Sequence, residues 1–512
     1  MVTHLDVFHI TVVSQYLYSQ TDFLALESVS KKYLNFPSNF HFNPIPLTRH
    51  NRHIFPHVET LHVYSELDET FGNTLEPSVV PLNETRSKNR LKNYSKKGLP
   101  KRETFYKIVV WYLVSYSSSL QTNHGSVDYK NVCYTLEDRN GYGSAIPNVI
   151  RTFGEGLFAN EKFKTFSIPY KVTQLGCLCF SNCTSLSQIM FLDTLKVIQK
   201  GCFQKCGSIS SLFLPNSVTS IGESCFSCCS NLLAVTLPTT IDVLCSETFS
   251  SCSSLTSIIL PDTITLLEYA VFKGCVALVD IALPKTLKLV PESCFNNCRS
   301  IPQITLPSCV EQIGPHCFAN NVLLTTIVLP PSLYQLGNFC FSFCASLKQI
   351  ELPESILEIP SNCFSDCSLL SRISIPTQVT LIGDSCFKNC KNLGKVRMSQ
   401  RIVAIGRECF RNCSALKKVE IPFKVELIKP LCFSGCCQLK RVEIPLHVKL
   451  IGSESFCGCS SLSRVYIPES VKTLGDKCFK GCISLKTVVV PKSVNRVGEK
   501  CFDEDVDVQY IY

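Results

Sequence analysis

A phenylalanine recurs at a nearly constant interval from residue 158 to residue 502, and other apolar positions keep the same spacing. Every interval between consecutive members of this series is 23 residues, except the first, which is 22. The series comprises Phe158, Phe180, Phe203, Phe226, Phe249, Phe272, Phe295, Phe318, Phe341, Phe364, Phe387, Phe410, Phe433, Phe456, Phe479 and Phe502. Such a fixed period is the sequence signature of a protein built from stacked structural repeats.

Each 23-residue unit contains two short segments with the hydrophobic pattern of β-strands. Aliphatic residues follow the phenylalanine by six, nine and eleven positions, as in Leu232, Val235 and Leu237. A proline usually comes next, and a second segment of the form V-x-x-I-G leads to the next Cys-Phe. The pattern predicts a strand at L-x-x-I-x-L, a turn at the proline, a second extended segment, and a tight turn or short helix around C-F-x-x-C.

One unit of this kind cannot close a hydrophobic core by itself. Stacked units can, because each aliphatic side chain then rests on its counterpart in the neighbouring coil. We therefore predict an α+β protein whose main part, residues 151–512, is a β-solenoid of about 15 coils, preceded by a small, mainly helical head.

The residues Leu462 to Leu485, LSRVYIPESVKTLGDKCFKGCISL, show the repeat in its least altered form. This pattern resembles the BspA-like leucine-rich repeats found in bacterial surface antigens and expanded in parasitic protists. The resemblance implies a leucine-rich-repeat solenoid over residues 151–512. It implies recognition or adhesion rather than a particular reaction, because proteins that share a repeat fold carry different binding sites.

Cysteine occupies two positions of the repeat, one residue before and three residues after the phenylalanine, and most of the 32 cysteines of the chain lie there. A zinc site would need both positions to be kept or lost together. Cys252, Cys275 and Cys459 are kept although the earlier position holds Thr248, Val271 and Ser455, and Cys317 is kept although Asn321 replaces its partner. We therefore favour packing in the core, with disulfides between coils as the alternative, and we predict neither a metal nor a cofactor.

The outward residues of the first strand in each coil, seven, eight and ten positions after the phenylalanine, form what we call the ladder face. Its early coils carry Phe213, Ala234, Ile259, Ala282 and Val328. Its later coils carry Lys348, Arg372, Lys395, Arg397, Lys417, Lys418, Lys440, Arg441, Arg464 and Lys486, against Glu351, Glu420 and Glu443.

Six of these cations form the candidate partner-binding site, which we call the basic ladder: Arg372, Lys395, Arg397, Lys418, Arg441 and Arg464. Stacked coils bring like charges close together, and an acidic partner would relieve their repulsion. The alternative is a solvated face without a partner. A nucleic-acid partner is less favoured, because only Tyr466 offers an aromatic ring among the basic residues.

Residues 1–65 lie outside the repeat, and apolar residues at helical spacing predict two or three short helices, with Asp22 as an N-cap. The segment resembles a degenerate F-box, a helical module that docks on a ligase adaptor. The features that carry this resemblance are Leu5, Val13, Leu17, Asp22, Leu26, Val29 and Lys32. The sequence FHFNPIPL at residues 40–47 also resembles the head of amoebal BspA-like proteins.

Residues 66–150 are predicted to form an irregular α/β connector that contains a basic loop at residues 86–102. The first residues of the chain have no basic region or cleavage site of a secretory signal, and no apolar stretch is long enough for a bilayer span. These features favour a cytoplasmic location. The family resemblance implies the cell surface as the alternative location.

The composition excludes disorder, since 45% of the 512 residues are hydrophobic and 18% are charged. The net charge of +9 is modest for this length. Neither paired carboxylates, nor a phosphate-binding loop, nor a nucleophile with its base indicates an enzyme. We therefore predict a non-enzymatic protein that recognises another protein through its ladder face, with a surface adhesin and an F-box-like substrate receptor as the alternatives. The oligomeric state is not predicted.

Overall fold

The computed structural model describes residues 7–14, 16–79, 102–121 and 125–511. Residues 86–101 of the predicted basic loop, and Leu5 of the predicted F-box-like segment, lie outside the described residues. The chain divides into two compact units. The first comprises Met1–Leu157 with Pro169–Cys179, and the second comprises Phe158–Ile168 with Phe180–Tyr512.

The described part of the first unit combines short helices with a parallel sheet. The helices are α1 (Val7–Ser14), α2 (Gln20–Val29), α3 (Tyr116–Gln121) and α4 (Leu136–Tyr142), with 3-10 turns at Lys31–Tyr33, Phe36–Asn39 and Arg52–Ile54. The strands are β1 (Thr60–Val63), β2 (Lys107–Ser115), β3 (Val127–Tyr134), β4 (Ile150–Phe153) and β6 (Gln174–Leu175), which pair in parallel in this order. Phe23, Phe36, Phe40 and Phe55 form an aromatic core beneath them.

The start of α2 differs from the prediction. Ser19, not Asp22, is the N-cap residue, and its hydroxyl accepts a hydrogen bond from the backbone N–H of Asp22. Asp22 lies at the third helical position, where its carboxylate accepts the backbone N–H of Ser19 at 2.9 Å. The prediction was wrong because Ser and Asp three residues apart form a reciprocal capping box, in which the acidic residue lies inside the helix.

The second unit is a parallel β-solenoid. The described residues together form about 17 turns, compared with the predicted 15. The first strands of the coils, whose outward residues form the ladder face, are β5 (Thr165–Ser167), β7 (Gln188–Met190), β9 (Ser211–Phe213), β11 (Ala234–Thr236), β13 (Ser257–Ile259), β15 (Asp280–Ala282), β17 (Gln303–Thr305), β19 (Thr326–Val328), β22 (Arg372–Ser374), β24 (Lys395–Arg397), β26 (Lys418–Glu420), β28 (Arg441–Glu443), β30 (Arg464–Tyr466), β32 (Thr487–Val490) and β34 (Asp507–Tyr510).

A second series of two-residue strands runs beside the first. It comprises β8 (Val197–Ile198), β10 (Ser220–Ile221), β12 (Val243–Leu244), β14 (Leu266–Leu267), β16 (Leu289–Val290), β18 (Gln312–Ile313), β20 (Gln335–Leu336), β21 (Glu358–Ile359), β23 (Leu381–Ile382), β25 (Ala404–Ile405), β27 (Leu427–Ile428), β29 (Leu450–Ile451), β31 (Thr473–Leu474) and β33 (Arg496–Val497). The glycine after this strand has a steric purpose. At Gly337, a Cβ atom would lie 2.2 Å from the backbone nitrogen of Pro315 in the preceding coil.

The repeated phenylalanines form one continuous stack through the solenoid. Ring centroids of consecutive members are between 5.2 Å (Phe180 and Phe203) and 5.9 Å (Phe249 and Phe272) apart, and most ring planes are within about 11° of parallel. This spacing suits offset stacking of aromatic rings. The 23-residue period is therefore the length of chain needed to return each ring to the ring before it.

The C-F-x-x-C segment is a turn rather than a helix. A left-handed residue lies two positions after every phenylalanine of the series except Phe502. Asn182, Asn389 and Gly435 have φ values of 59°, 61° and 74° there. Asparagine and glycine adopt this conformation at low cost. The asparagine side chains also connect coils, since Asn412 Nδ2 donates to Asn389 Oδ1 at 2.9 Å.

Candidate functional site

All six residues of the basic ladder lie on exposed positions of neighbouring parallel strands. Arg372 of β22 is directly opposite Lys395 of β24, and Arg441 of β28 is directly opposite both Lys418 of β26 and Arg464 of β30. The residues between them in each strand point inward, so Ile373 and Val442 are each only 4% exposed. The alternation of strand side chains therefore places five of the cations in one outward column, eight residues after the phenylalanine, and Arg397 in the next outward column, ten residues after it.

The side chains of the basic ladder are largely free of neutralising carboxylates. Lys418 Nζ contacts Glu420 Oε1 at 2.6 Å, and this hydrogen bond is the chief cause of a lowered pKa for the Glu420 carboxyl. Within the described residues, Arg372, Lys395, Arg397, Arg441 and Arg464 form no ion pair, although Arg372 Nη2 donates to Gln349 Oε1 at 2.8 Å. These five side chains therefore carry positive charge that no carboxylate of the described residues neutralises through an ion pair.

Three of the six predicted residues line one groove of about 410 Å³ on the ladder face. Arg372, Lys395 and Arg397 contribute its cationic side. Lys418, Arg441 and Arg464 lie on the three-stranded sheet formed by β26, β28 and β30. The sequence prediction did not single out the uncharged or acidic groove residues Gln349, Glu354 and Ser374 as part of the site. The feature of the sequence that could have indicated the groove is the small side chain of Ser374 between charged neighbours in the same column.

The early part of the ladder face, which we call the apolar half, has a different surface. Phe213, Ile259 and Val328 are 72%, 83% and 74% exposed. They occupy the same outward column, ten residues after the repeated phenylalanine, as Arg397 and Glu420 do in later coils. The predicted change from apolar to basic residues therefore lies along one face of the solenoid.

Many cysteines of the repeat are buried in the core and also form hydrogen bonds between coils. In all thirteen coils that have a cysteine three residues after the phenylalanine, its Sγ donates to the carbonyl oxygen of the phenylalanine in the preceding coil, at 3.0 to 3.3 Å. Asn321, which replaces cysteine at this position, donates its Nδ2 to Phe295 O at 2.9 Å in the same way. All 32 cysteines are free thiols.

Burial favours the protonated form of many of these thiols. It raises the pKa of both Cys229 and Cys344 to about 12, and it raises the pKa of Cys225 and Cys409 as well. A protonated, buried thiol is a poor nucleophile and a poor metal ligand. Among the described residues, no group of three or more His, Cys, Asp or Glu side chains is arranged to hold a metal ion.

Only some residues of the predicted F-box-like pattern are partly buried in the first unit. Leu17 and Leu26 pack against the aromatic core, whereas Val13 and Val29 are exposed. No helix in the described ranges has both the length and the apolar character to cross a bilayer.

Comparison with protein families matches the BspA type Leucine rich repeat region, described as six copies, at residues 151–279, 268–394 and 380–509. The chain belongs to this family. The matched ranges contain the whole basic ladder and the apolar half of this BspA-type solenoid. No curated protein matches the sequence. The predicted protist type and F-box-like head are not part of the match and stay predictions.

Several solved structures are similar to this BspA-type chain. A leucine-rich repeat protein from Bacteroides ovatus is 23% identical over 71% of this chain and 88% of that chain, with a TM-score of 0.47. A leucine rich cell surface protein from Faecalibacterium prausnitzii is 21% identical over 71% of this chain and 82% of that chain, with a TM-score of 0.31. A leucine-rich repeat protein from T. pallidum is 26% identical over 36% of this chain and 78% of that chain, with a TM-score of 0.28.

Proposed function

We propose that the protein binds a partner protein with an acidic surface through the basic ladder, without catalysing a reaction. The observation that carries this proposal is the set of six exposed arginine and lysine side chains on the ladder face, five of which form no ion pair within the described residues. Neighbouring strands are about 4.8 Å apart, so like charges are held close together on a rigid sheet. An acidic partner supplies the missing counter-charge and is guided to the face during encounter.

The proposal is tested by reversing the charge of the ladder. The variant carries Arg372→Glu, Lys395→Glu, Lys418→Glu and Arg441→Glu. The control carries the same number of reversals at Lys196, Lys288, Lys449 and Lys472, exposed residues that each precede a strand of the second series. A fluorescent peptide of ten glutamates is the acidic probe, and its binding is followed by anisotropy at low and at moderate salt.

We expect the wild-type chain and the control to bind the peptide, with weaker binding at higher salt, and the ladder variant to lose binding. Equal binding by the ladder variant and the wild-type chain would refute the proposal. Tighter binding of a DNA duplex of similar charge than of the peptide would also count against it, because it would indicate a nucleic-acid surface.

The two other functions predicted from the sequence, a surface adhesin and an F-box-like substrate receptor, would use the same ladder face to select a partner. The fold fits a protein-binding or surface-antigen role in general. Labelling of surface proteins on intact cells tests the adhesin hypothesis, and co-purification of a ligase adaptor with the full chain tests the receptor hypothesis.

A further inference from the structure

The groove on the ladder face lies where the regular strand pattern is interrupted. Residues 349–351 occupy the place of a first strand, yet they form only an isolated bridge between Gln349 and Arg372. The coils on either side of this position contain β19 and β22, which are regular strands. Residues from both sides of this interruption, among them Gln349, Glu351 and Arg372, line the groove.

Ser374 provides the space within the groove. In the column ten residues after the phenylalanine, Ser374 stands between Glu351 and Arg397, and it is directly opposite Arg397 in the parallel pairing. Glu351 and Arg397 are two coils apart, which corresponds to roughly 10 Å. A serine between two long side chains therefore leaves a recess the width of one further side chain.

The walls of the recess favour a carboxylate that carries an aliphatic stem. Ile350 and Ile373, each 4% exposed, form an apolar floor. Arg372 is oriented by Gln349 Oε1, and Arg397 forms no ion pair within the described residues. These two guanidinium groups are available as hydrogen-bond donors to a carboxylate.

The two glutamates of the groove restrict the position of an incoming carboxylate. The Glu354 carboxylate already accepts the backbone N–H of Thr377 at 2.9 Å and its hydroxyl at 2.7 Å. Glu351 is exposed and lies at the end of the groove away from Arg397. A carboxylate is therefore repelled from Glu351 and attracted toward Arg372 and Arg397.

We propose that this recess at Ser374 takes one glutamate side chain of the partner, with its methylene groups over Ile350 and Ile373 and its carboxylate between Arg372 and Arg397. This inference rests on the proposed function and adds a specific anchoring point to it. The rest of the basic ladder then contributes general attraction, whereas the recess fixes the position of the partner along the solenoid.

The test fills the recess without changing any charge. Ser374→Phe occupies the space, Ser374→Ala keeps it open, and Thr305→Phe adds the same bulk at the equivalent outward column of the apolar half. With the ten-glutamate peptide, we expect Ser374→Phe to weaken binding at least tenfold. Ser374→Ala and Thr305→Phe should stay within about twofold of the wild-type affinity.

A second pair of variants keeps the test decisive if Ser374→Phe fails to fold. Arg397→Gln and Arg464→Gln remove the same charge from the same face, but only Arg397 lines the recess. We expect Arg397→Gln to weaken binding at least fivefold more than Arg464→Gln. Equal losses of peptide affinity in Arg397→Gln and Arg464→Gln would refute the proposal that the recess binds a glutamate.

The outcomes separate this inference from the function on which it rests. If Ser374→Phe binds the peptide as tightly as the wild-type chain while the fourfold charge reversal abolishes binding, the recess is refuted and the acidic-partner proposal stands. If the fourfold reversal leaves binding unchanged, or the wild-type chain does not bind the peptide, both are refuted.

Discussion

The apolar half and the basic ladder occupy the same face of one solenoid, yet their outer side chains have almost nothing in common. Ile259 and Val328 represent the first surface, and Arg397 and Arg441 represent the second. Beneath both surfaces the interior is the same column of phenylalanine rings and thiols. Phe249 under the apolar half and Phe410 under the basic ladder are both fully buried and stacked on both sides.

The difference shows that the two faces of each strand obey separate constraints. Inward residues must fit a counterpart in the coils above and below, so their size and hydrogen bonds are fixed by the repeat. Outward residues meet only solvent and their neighbours in the column, so they are free to vary. The surface of the solenoid can therefore be specialised for a partner without changing its core.

The largest effect should come from alkaline pH, and it should be equal in the two halves. Burial raises the pKa of Cys229 under the apolar half and of Cys482, in the coil that follows Arg464, to about 12, from an ordinary value of 9.0. Above pH 9 the unfolded chain loses thiol protons that the folded chain keeps. The free energy of unfolding therefore falls as pH rises, by up to about 1.4 kcal/mol per pH unit for each buried thiol.

This prediction is checked by urea unfolding with a reductant at several values between pH 8 and pH 10. Hydrogen exchange read separately in residues 190–328 and 348–486 compares the halves. If the amides of residues 348–486 stay protected from exchange while those of residues 190–328 do not, the surface cations affect the interior thiols. The prediction of an equal pH effect in the two regions would then be wrong.

The next largest effect is expected from removing one ring of the stack in either half. Phe249→Ala and Phe410→Ala should each reduce the free energy of unfolding by about 3–5 kcal/mol, because each leaves a cavity between two stacked rings. Urea unfolding followed by circular dichroism gives the loss, and hydrogen exchange in the flanking coils shows its location. A difference of more than about 1 kcal/mol between the two variants would contradict a common interior.

The smallest effect concerns the one asparagine at the second cysteine position. Asn321 is buried, and its Oδ1 has no hydrogen-bond partner within the described residues. Asn321→Cys should raise the free energy of unfolding by about 1 kcal/mol, because it keeps a donor to Phe295 O and removes the unsatisfied acceptor. Cys344→Asn, one coil further along, is the matched control and should be destabilising in the same unfolding measurement. Destabilisation by Asn321→Cys would show that the carboxamide has a favourable role of its own.

The family, the solenoid and the position of the basic residues on the outward face could be predicted from the sequence. The 23-residue period determines which residues are neighbours in adjacent coils, so Phe226 must meet Phe203 and Phe249 once the coils stack. The alternation within L-x-x-I-x-L then decides which side chains point outward. Both inferences need only counting along the chain.

Other features depended on how several coils fit together. The hydrogen bond from Cys229 Sγ to Phe203 O joins residues 26 positions apart, and its geometry follows from the turn conformation rather than from the period. The groove at Ser374 is lined by residues from three coils and lies at an interrupted strand. The repeating sequence by itself determined the order in which the coils stack and which residues become neighbours in adjacent coils. Only the tertiary structure decided where that stacking leaves a gap, because a gap depends on the volumes and backbone pairing of several neighbouring coils at once.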